Sequence, residues 1–145
     1  MATLSSPFMK LQVFLPVFIV LAYLHEAIHW LAFSIFGKVD SKHCRLGFQW
    51  KTLTPYAHCS VPLKASVYRI SLILPALLLG IIPSIVAIIF GFSWLLVYGI
   101  VFTITGGGDF IILWLIRKVE KNQLLQDHHT RCGCEVIIPN RCQSY

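Results

Sequence analysis

Two histidines and a glutamate lie close together in an otherwise apolar segment, LAYLHEAIHWLAFSIF, at residues 21–36. The pattern from His25 to His29 is H-E-x-x-H, and residues four apart lie above one another on one face of a helix. Two imidazoles in that arrangement can bind one zinc ion. Glu26 can then act as general base towards a zinc-bound water, whose pKa zinc lowers to about 7. The segment therefore predicts a zinc site with Glu26 as its catalytic residue.

A simpler interpretation places these side chains at the membrane interface. His25 and His29 would lie among lipid headgroups, and Glu26 would extend its carboxylate towards water. Ionisable groups inside a membrane span are costly, about 2.5–3.5 kcal/mol for a central Asp, Lys or Arg. Three polar side chains within five residues are hard to maintain without a partner, so the sequence favours the metal site.

The third zinc ligand is predicted from the other apolar segment. A catalytic zinc ion usually has three protein ligands and one open position, and Asp109 is the only charged residue between residues 70 and 116. At about 1.5 Å per helical residue, both histidines and Asp109 lie about 10–16 Å from the ends of their segments. We therefore expect His25, His29 and Asp109 to bind one zinc ion per chain. The three glycines at 106–108 permit either close helix packing or local unwinding beside this site.

Composition defines the class of protein. Of the 145 residues, 57% are hydrophobic and 12% are charged, whereas a soluble domain is roughly 25% charged. Mean hydropathy is +0.73. The apolar runs exceed the roughly 20 residues that a spanning helix needs. We predict a single-domain, all-α integral membrane protein with three transmembrane helices near 11–36, 67–90 and 93–117.

The basic residues predict the orientation of these spans. Most of them fall between residues 38 and 69 or after residue 116, and cytoplasmic segments next to membrane spans carry such an excess. A multi-pass cell-membrane protein with its N-terminus outside and the 38–66 loop and 118–145 tail in the cytoplasm is expected. Because the net charge of +6 is explained in this way, nucleic acid is not an expected partner. The five cysteines are then expected to be reduced.

The 38–66 loop predicts a short hairpin at the interface, because apolar and polar residues partly alternate in CRLGFQWKTL. His58 is a candidate for contact with the substrate or the oxyanion, although an interfacial turn before the second helix is the favoured interpretation. A strand edge along residues 46–54 could hold an extended substrate. In the tail, the run 127–134, DHHTRCGC, could bind a structural metal, but it lacks the usual C-x-x-C spacing, which favours a docked tail.

These motifs resemble two related groups of membrane peptidases. A membrane-embedded H-E-x-x-H with an aspartate on the third helix is similar to the core of the site-2-protease-like intramembrane zinc metalloproteases. The closer resemblance is to a small bacterial family of zincin peptidases, through HEAIHW, LTPYAHCSVPLK followed by YRISLILPALLLGIIP, GGGDF and QDHHTRCGCEV, across residues 23–136. The resemblance implies zinc ligands at His25, His29 and Asp109 and a catalytic Glu26.

The sequence also departs from the patterns of both groups. The larger proteases have N-x-x-P-x-x-x-x-D-G around the aspartate, whereas this chain has Val101, Ile104 and Phe110 at the Asn, Pro and Gly positions. The small family has D-H-P near the tail, and residues 127–129 read D-H-H here. The first departure concerns substrate binding more than metal binding.

Together these features predict a zinc metallopeptidase that hydrolyses transmembrane or membrane-adjacent peptides. The alternatives are a membrane metal-binding protein or transporter, and a catalytically silent scaffold stabilised by zinc. A transporter needs polar groups through both halves of the bilayer, whereas the outer halves of all three predicted helices are uncharged. A homo-oligomer is a further expectation, since three helices are few to shield a site from lipid.

Overall fold

The computed structural model describes residues 10–50, 54–127 and 134–137. Within these ranges, three helical stretches are long and apolar enough to cross a membrane, namely Leu11–Gly37, Ala65–Phe90 and Ser93–Lys118. Their bounds lie within two residues of the three predicted spans. Large apolar side chains on their outer surfaces remain exposed, for example Ile88 and Ile89 at 69% each. In lipid, such side chains need no protein partner, because the hydrocarbon itself is their solvent.

The first stretch is one continuous helix, α1 (Leu11–Gly37). The second consists of α2 (Ala65–Pro75), a wide π-helical turn (Ala76–Ile81) and α3 (Ile82–Phe90). Each proline removes one backbone donor from the helix, and the widened turn falls between Pro75 and Pro83. Gly91, with φ of 73°, ends α3 in the left-handed conformation that glycine adopts without strain.

The third stretch is divided by Gly106 into α4 (Ser93–Thr105) and α5 (Gly107–Leu115), and it ends in a 3₁₀ turn (Ile116–Lys118). Helix α1 packs against α2, α2 against α5, and α3 against α4. Arg69 on α2 donates a hydrogen bond of 2.6 Å to the carbonyl oxygen of Ile116. The same carbonyl also accepts from the Val119 amide at 3.0 Å, so the guanidinium is its second donor and joins α2 to the end of the third stretch.

Two small sheets lie between and after the helices, so the all-α prediction is only approximate. Strands β1 (Cys44–Gln49) and β2 (Thr54–Cys59) pair antiparallel, which confirms the predicted hairpin. Strands β3 (Leu63–Lys64), β4 (Leu124–Asp127) and β5 (Cys134–Ile137) form an antiparallel sheet in that order. This sheet joins the loop to the tail, as a docked tail would. The strand pairing itself was not predicted, because β3 has two residues and shows no period.

The core of the described protein lies where the sheets meet the helix ends. Its buried members come from α1, both sheets, α2 and the end of the third stretch, and include Phe33, Cys59, Tyr68, Ile116 and Leu125. Leu125 has no exposed surface. The core therefore packs the hairpin and the β3–β4–β5 sheet against one end of the helices. The polar residues of α1 and α5, His25, His29 and Asp109, lie towards the same end.

Candidate metal centre

His25, His29 and Asp109 meet between α1 and α5. The two histidines lie one turn apart on α1, and Asp109 lies in the first turn of α5. Oδ2 of Asp109 is 3.1 Å from Nε2 of His25 and 3.4 Å from Nε2 of His29. The two Nε2 atoms are 3.2 Å apart. Three potential ligand atoms thus form a nearly equilateral triangle.

The size of this triangle fits one zinc ion. Nitrogen and oxygen ligands lie about 2.0–2.1 Å from zinc, so two of them in a tetrahedral site are about 3.3 Å apart. The three observed separations of 3.1, 3.2 and 3.4 Å bracket that value. Among the described residues, this is the group of His, Cys, Asp and Glu side chains whose ligand atoms lie close enough to share an ion. The donor set therefore fits the metal that the sequence predicts.

The imidazoles are held in place by their surroundings. The side chains of His25, His29 and Asp109 expose 13%, 9% and 17% of their surface. His29 also hydrogen-bonds the backbone of Ser71 on α2. A carbonyl partner of this kind fixes the orientation of a metal-binding imidazole and directs its other nitrogen to the ion. Helix α2 thus supports the site without supplying a ligand.

The three glycines before Asp109 differ in their surroundings. Gly106 is buried, and a Cβ atom there would lie 3.7 Å from Cβ of Ala76. The chain turns at Gly106, and the amide of Asp109 donates to the Gly106 carbonyl at 3.1 Å. A Cβ atom built at Gly107 or Gly108 would have no atom within 4 Å. The structure therefore contains both features that the sequence left open: close packing at Gly106 and a local break between α4 and α5. The break starts α5 just before Asp109.

Glu26 lies beside the two histidines and reaches the hairpin. Its Oε2 accepts a hydrogen bond of 2.8 Å from the backbone amide of Ala57 on β2. Ala57 is opposite Leu46 in the antiparallel register. Because the Ser60 amide donates to the His43 carbonyl, alternate pairs along the ladder are hydrogen-bonded, and the Leu46–Ala57 pair is a non-hydrogen-bonded one. In such a pair, the Ala57 amide points away from β1. The outer edge of β2 therefore fixes the carboxylate of the predicted general base.

Comparison with protein families finds a match over most of the chain. The family model described as "Putative zincin peptidase" matches residues 18–124. The chain belongs to this family. Comparisons with curated proteins and with solved structures returned no match. The matched range contains both histidines, Glu26 and Asp109, and a zincin family implies zinc as the metal that these side chains would bind.

His58 is not part of the predicted ligand group in this zincin-family chain. It lies on β2, and its Nδ1 is 3.7 Å from Oδ2 of Asp127. Contact of His58 with a substrate or an oxyanion stays a prediction. His58 follows Ala57, whose amide donates to Glu26.

Asp127 is a structural connector that the sequence did not reveal. Its Oδ2 accepts a hydrogen bond of 2.8 Å from the Cys59 amide, and its Oδ1 accepts one of 2.5 Å from the Tyr68 hydroxyl. The zincin-family chain thus joins β2, α2 and β4 through one carboxylate. The sequence signal was the acidic residue at the start of the D-H-H run. The sequence favoured a docked tail over a metal site at 127–134. Residues 128–133 lie outside the described residues, and within these Asp127 and Cys134 belong to no group of metal ligands.

Proposed function

We propose that this chain is a membrane-embedded zinc metalloprotease. The main observation that supports this proposal is the triangle formed by His25 Nε2, His29 Nε2 and Asp109 Oδ2. Its sides of 3.1–3.4 Å fit a single zinc ion. Glu26 adjoins His25 in the H-E-x-x-H pattern, as a general base of a zincin must. Membership of a zincin peptidase family supports the same conclusion.

Zinc, when bound by His25, His29 and Asp109, would polarise a carbonyl oxygen and lower the pKa of water. Glu26 accepts a proton from the attacking water and later delivers it to the leaving amine. The Ala57 amide holds Oε2 of Glu26 at 2.8 Å, which keeps the carboxylate in one orientation before the substrate arrives. The mostly buried triangle limits the number of water molecules that reach the reacting bond.

We propose transmembrane or membrane-adjacent peptides with a locally unwound segment as substrates. The ligands lie on spanning helices, so a scissile bond must reach them at membrane depth. The β1–β2 hairpin lies next to the predicted ligands, because the Ala57 amide on β2 contacts Glu26. An extended peptide along residues 46–54 would explain why a hairpin is placed here. Proline substitutions along that stretch should then lower cleavage and leave zinc bound, and unchanged cleavage would rule this role out.

We propose that the N-terminus lies outside and the hairpin and tail lie in the cytoplasm. The basic residues that flank the spans support this orientation. Reporter fusions that are active on only one side of the membrane, placed after residues 92 and 145, test it. Activity of an external reporter after residue 92 and of a cytoplasmic reporter after residue 145 is expected, and the reverse pattern would refute the orientation.

Glu26→Gln tests the proposed reaction. The variant should keep one zinc per chain and lose hydrolysis by about 10²–10⁴-fold, the usual contribution of a general acid–base group. Cleavage is measured by mass spectrometry on a mixture of synthetic transmembrane peptides with purified protein in detergent. Equal cleavage by Glu26→Gln and wild type would exclude Glu26 as the base. Absence of cleavage by wild-type, zinc-loaded protein across the mixture would favour the silent scaffold.

A metal transporter is less consistent with the rest of the structure. A cavity of about 250 Å³ lies between the helices away from the metal ligands, and its walls include Val17, Leu21, Leu79, Pro83 and Leu95. An ion that crosses the membrane needs polar groups along its path, and this cavity is almost entirely apolar. Zinc flux into proteoliposomes, compared between wild type and Asp109→Ala, discriminates the two functions.

A further inference from the structure

Cys44 and Cys59 form a pair of thiols at the open end of the β1–β2 hairpin. They are directly opposite each other in the antiparallel register. Their Sγ atoms are 3.0 Å apart, and both are free thiols. Cys44 exposes 4% of its surface and Cys59 exposes 1%. The pair is therefore enclosed by the core and not a chance neighbour on the surface.

The hydrogen bonds around the pair identify its place in the ladder. The Ser60 amide donates to the His43 carbonyl at 2.9 Å, so the next pair inward, Cys44 and Cys59, is a non-hydrogen-bonded one. Consistently, the Cys59 amide donates to Asp127, and the Cys44 carbonyl accepts from the indole of Trp30. Cα atoms of such a pair are about 4.5 Å apart, within the range that a disulfide spans.

We propose that Cys44 and Cys59 are a redox-convertible dithiol that a small-molecule disulfide closes into an intrachain disulfide. One thiol attacks the oxidant's S–S bond, forms a mixed disulfide and releases one small thiol. The second cysteine then attacks the mixed disulfide, forms the Cys44–Cys59 bond and releases the other small thiol. Two cysteine thiols are oxidised, and one disulfide is reduced to two thiols that carry away both protons.

The surroundings predict that the reduced pair is stable while the hairpin is closed. Burial, followed by the hydrogen bond with Cys59, raises the pKa of Cys44 from its ordinary 9.0 to about 12. Since the thiolate is the reactive form, exchange begins when the hairpin opens locally. Once formed, the disulfide opposes further opening. Because β2 carries the Ala57 amide that holds Glu26, the disulfide also fixes the strand that contacts the predicted base.

Peptide mapping tests the disulfide directly, and does not depend on metal binding or hydrolysis. Purified, folded protein is treated with oxidised glutathione, then denatured in the presence of iodoacetamide, so that every remaining thiol is alkylated, and digested with trypsin. Cleavage after Lys42, Arg45, Lys51 and Lys64 places the cysteines in peptides 43–45 and 52–64. A disulfide-linked pair of these peptides that disappears with reductant is expected. Carbamidomethyl groups on both cysteines after prolonged oxidation would overturn the proposal.

Two variants provide matched controls. Cys134→Ser removes a free thiol whose pKa burial also raises, and the linked peptides should persist. Cys44→Ala should abolish them and leave Cys59 alkylated. Linkage of either cysteine mainly to another cysteine in folded wild type would also refute the pairing.

Hydrogen exchange tests the effect on the hairpin. The disulfide closes a loop with a separation of 15 residues, and closing such a loop disfavours opening on the order of a hundredfold. In wild type, amides of the β1–β2 ladder should therefore exchange about a hundredfold more slowly after oxidation. In Cys44→Ala, their exchange rates should be the same with and without oxidant. Equal exchange rates for the two wild-type redox states would show that the pair does not fasten the hairpin.

Discussion

Glu26 and Ala57, 31 residues apart in the sequence, are joined by a hydrogen bond of 2.8 Å from a backbone amide to a side-chain carboxylate. This contact links the helix that carries two predicted zinc ligands to the outer edge of a hairpin strand. The hairpin thus contacts the candidate site through a backbone amide, without a predicted metal ligand and without a side chain of the strand.

Ala57→Pro removes the amide donor and should lower the hydrolytic rate constant about tenfold, with zinc content unchanged. Loss of a hydrogen bond to a charged group costs about 1.5–3 kcal/mol, and 1.4 kcal/mol in the barrier is a factor of ten. Because this amide points away from β1, proline breaks no ladder bond. Ala57→Gly keeps the amide and serves as control. Zinc loss in Ala57→Pro, or equal rate constants for the two variants, would contradict this role.

Asp109→Ala should abolish stable zinc binding by the purified protein. It removes one corner of the ligand triangle, and the loss of affinity should exceed the roughly 10–100-fold that removal of an outer-shell partner costs. Zinc per chain is measured by elemental mass spectrometry after gel filtration. Asp40→Ala removes an exposed carboxylate that pairs with Lys42 at 2.9 Å and should leave zinc content at the wild-type value. Equal zinc content in Asp109→Ala would remove this residue from the site.

Asp127→Ala should destabilise the hairpin end of the protein more than Tyr68→Phe does. The first change leaves both the Cys59 amide and the Tyr68 hydroxyl without their acceptor, and each unsatisfied buried donor costs about 1–3 kcal/mol. Tyr68→Phe removes the hydroxyl donor itself and so leaves no unsatisfied donor at residue 68. Thermal unfolding in detergent measures both. In the double variant, the effects should be less than additive, and strict additivity would contradict the shared contact.

Gly99→Ala should destabilise the packing of α3 against α4. A Cβ atom at residue 99 would lie 2.3 Å from the Ser84 hydroxyl oxygen and 2.9 Å from the Gly80 carbonyl oxygen. Overpacking of this kind costs about 1–3 kcal/mol, and the Gly80 carbonyl belongs to the backbone and cannot rotate away. Gly108→Ala is the control, because its Cβ would meet nothing within 4 Å. A similar unfolding temperature for both variants would argue against close helix packing at Gly99.

Features that depend on local chemistry could be read from the sequence. The three long apolar helices follow from hydropathy over about 20 residues, which is a property of each segment alone. His25 and His29 share a face because four residues make about one helical turn. Asp109 could be chosen because it is the only charged residue in its apolar segment, and the structure brings it to the two histidines.

Features that depend on pairing between distant segments were decided by the tertiary structure. Every residue except proline has a backbone amide, so the sequence does not distinguish the amide of Ala57 from the others. The strand register that directs it to Glu26 is set by cross-strand packing. The same holds for the Cys44–Cys59 pair, for Asp127 as a connector, and for the short β3 strand. Composition and helical period indicated which polar groups lie within apolar helices and which of them share a helix face. Long-range register, which no local pattern encodes, determined what those groups contact.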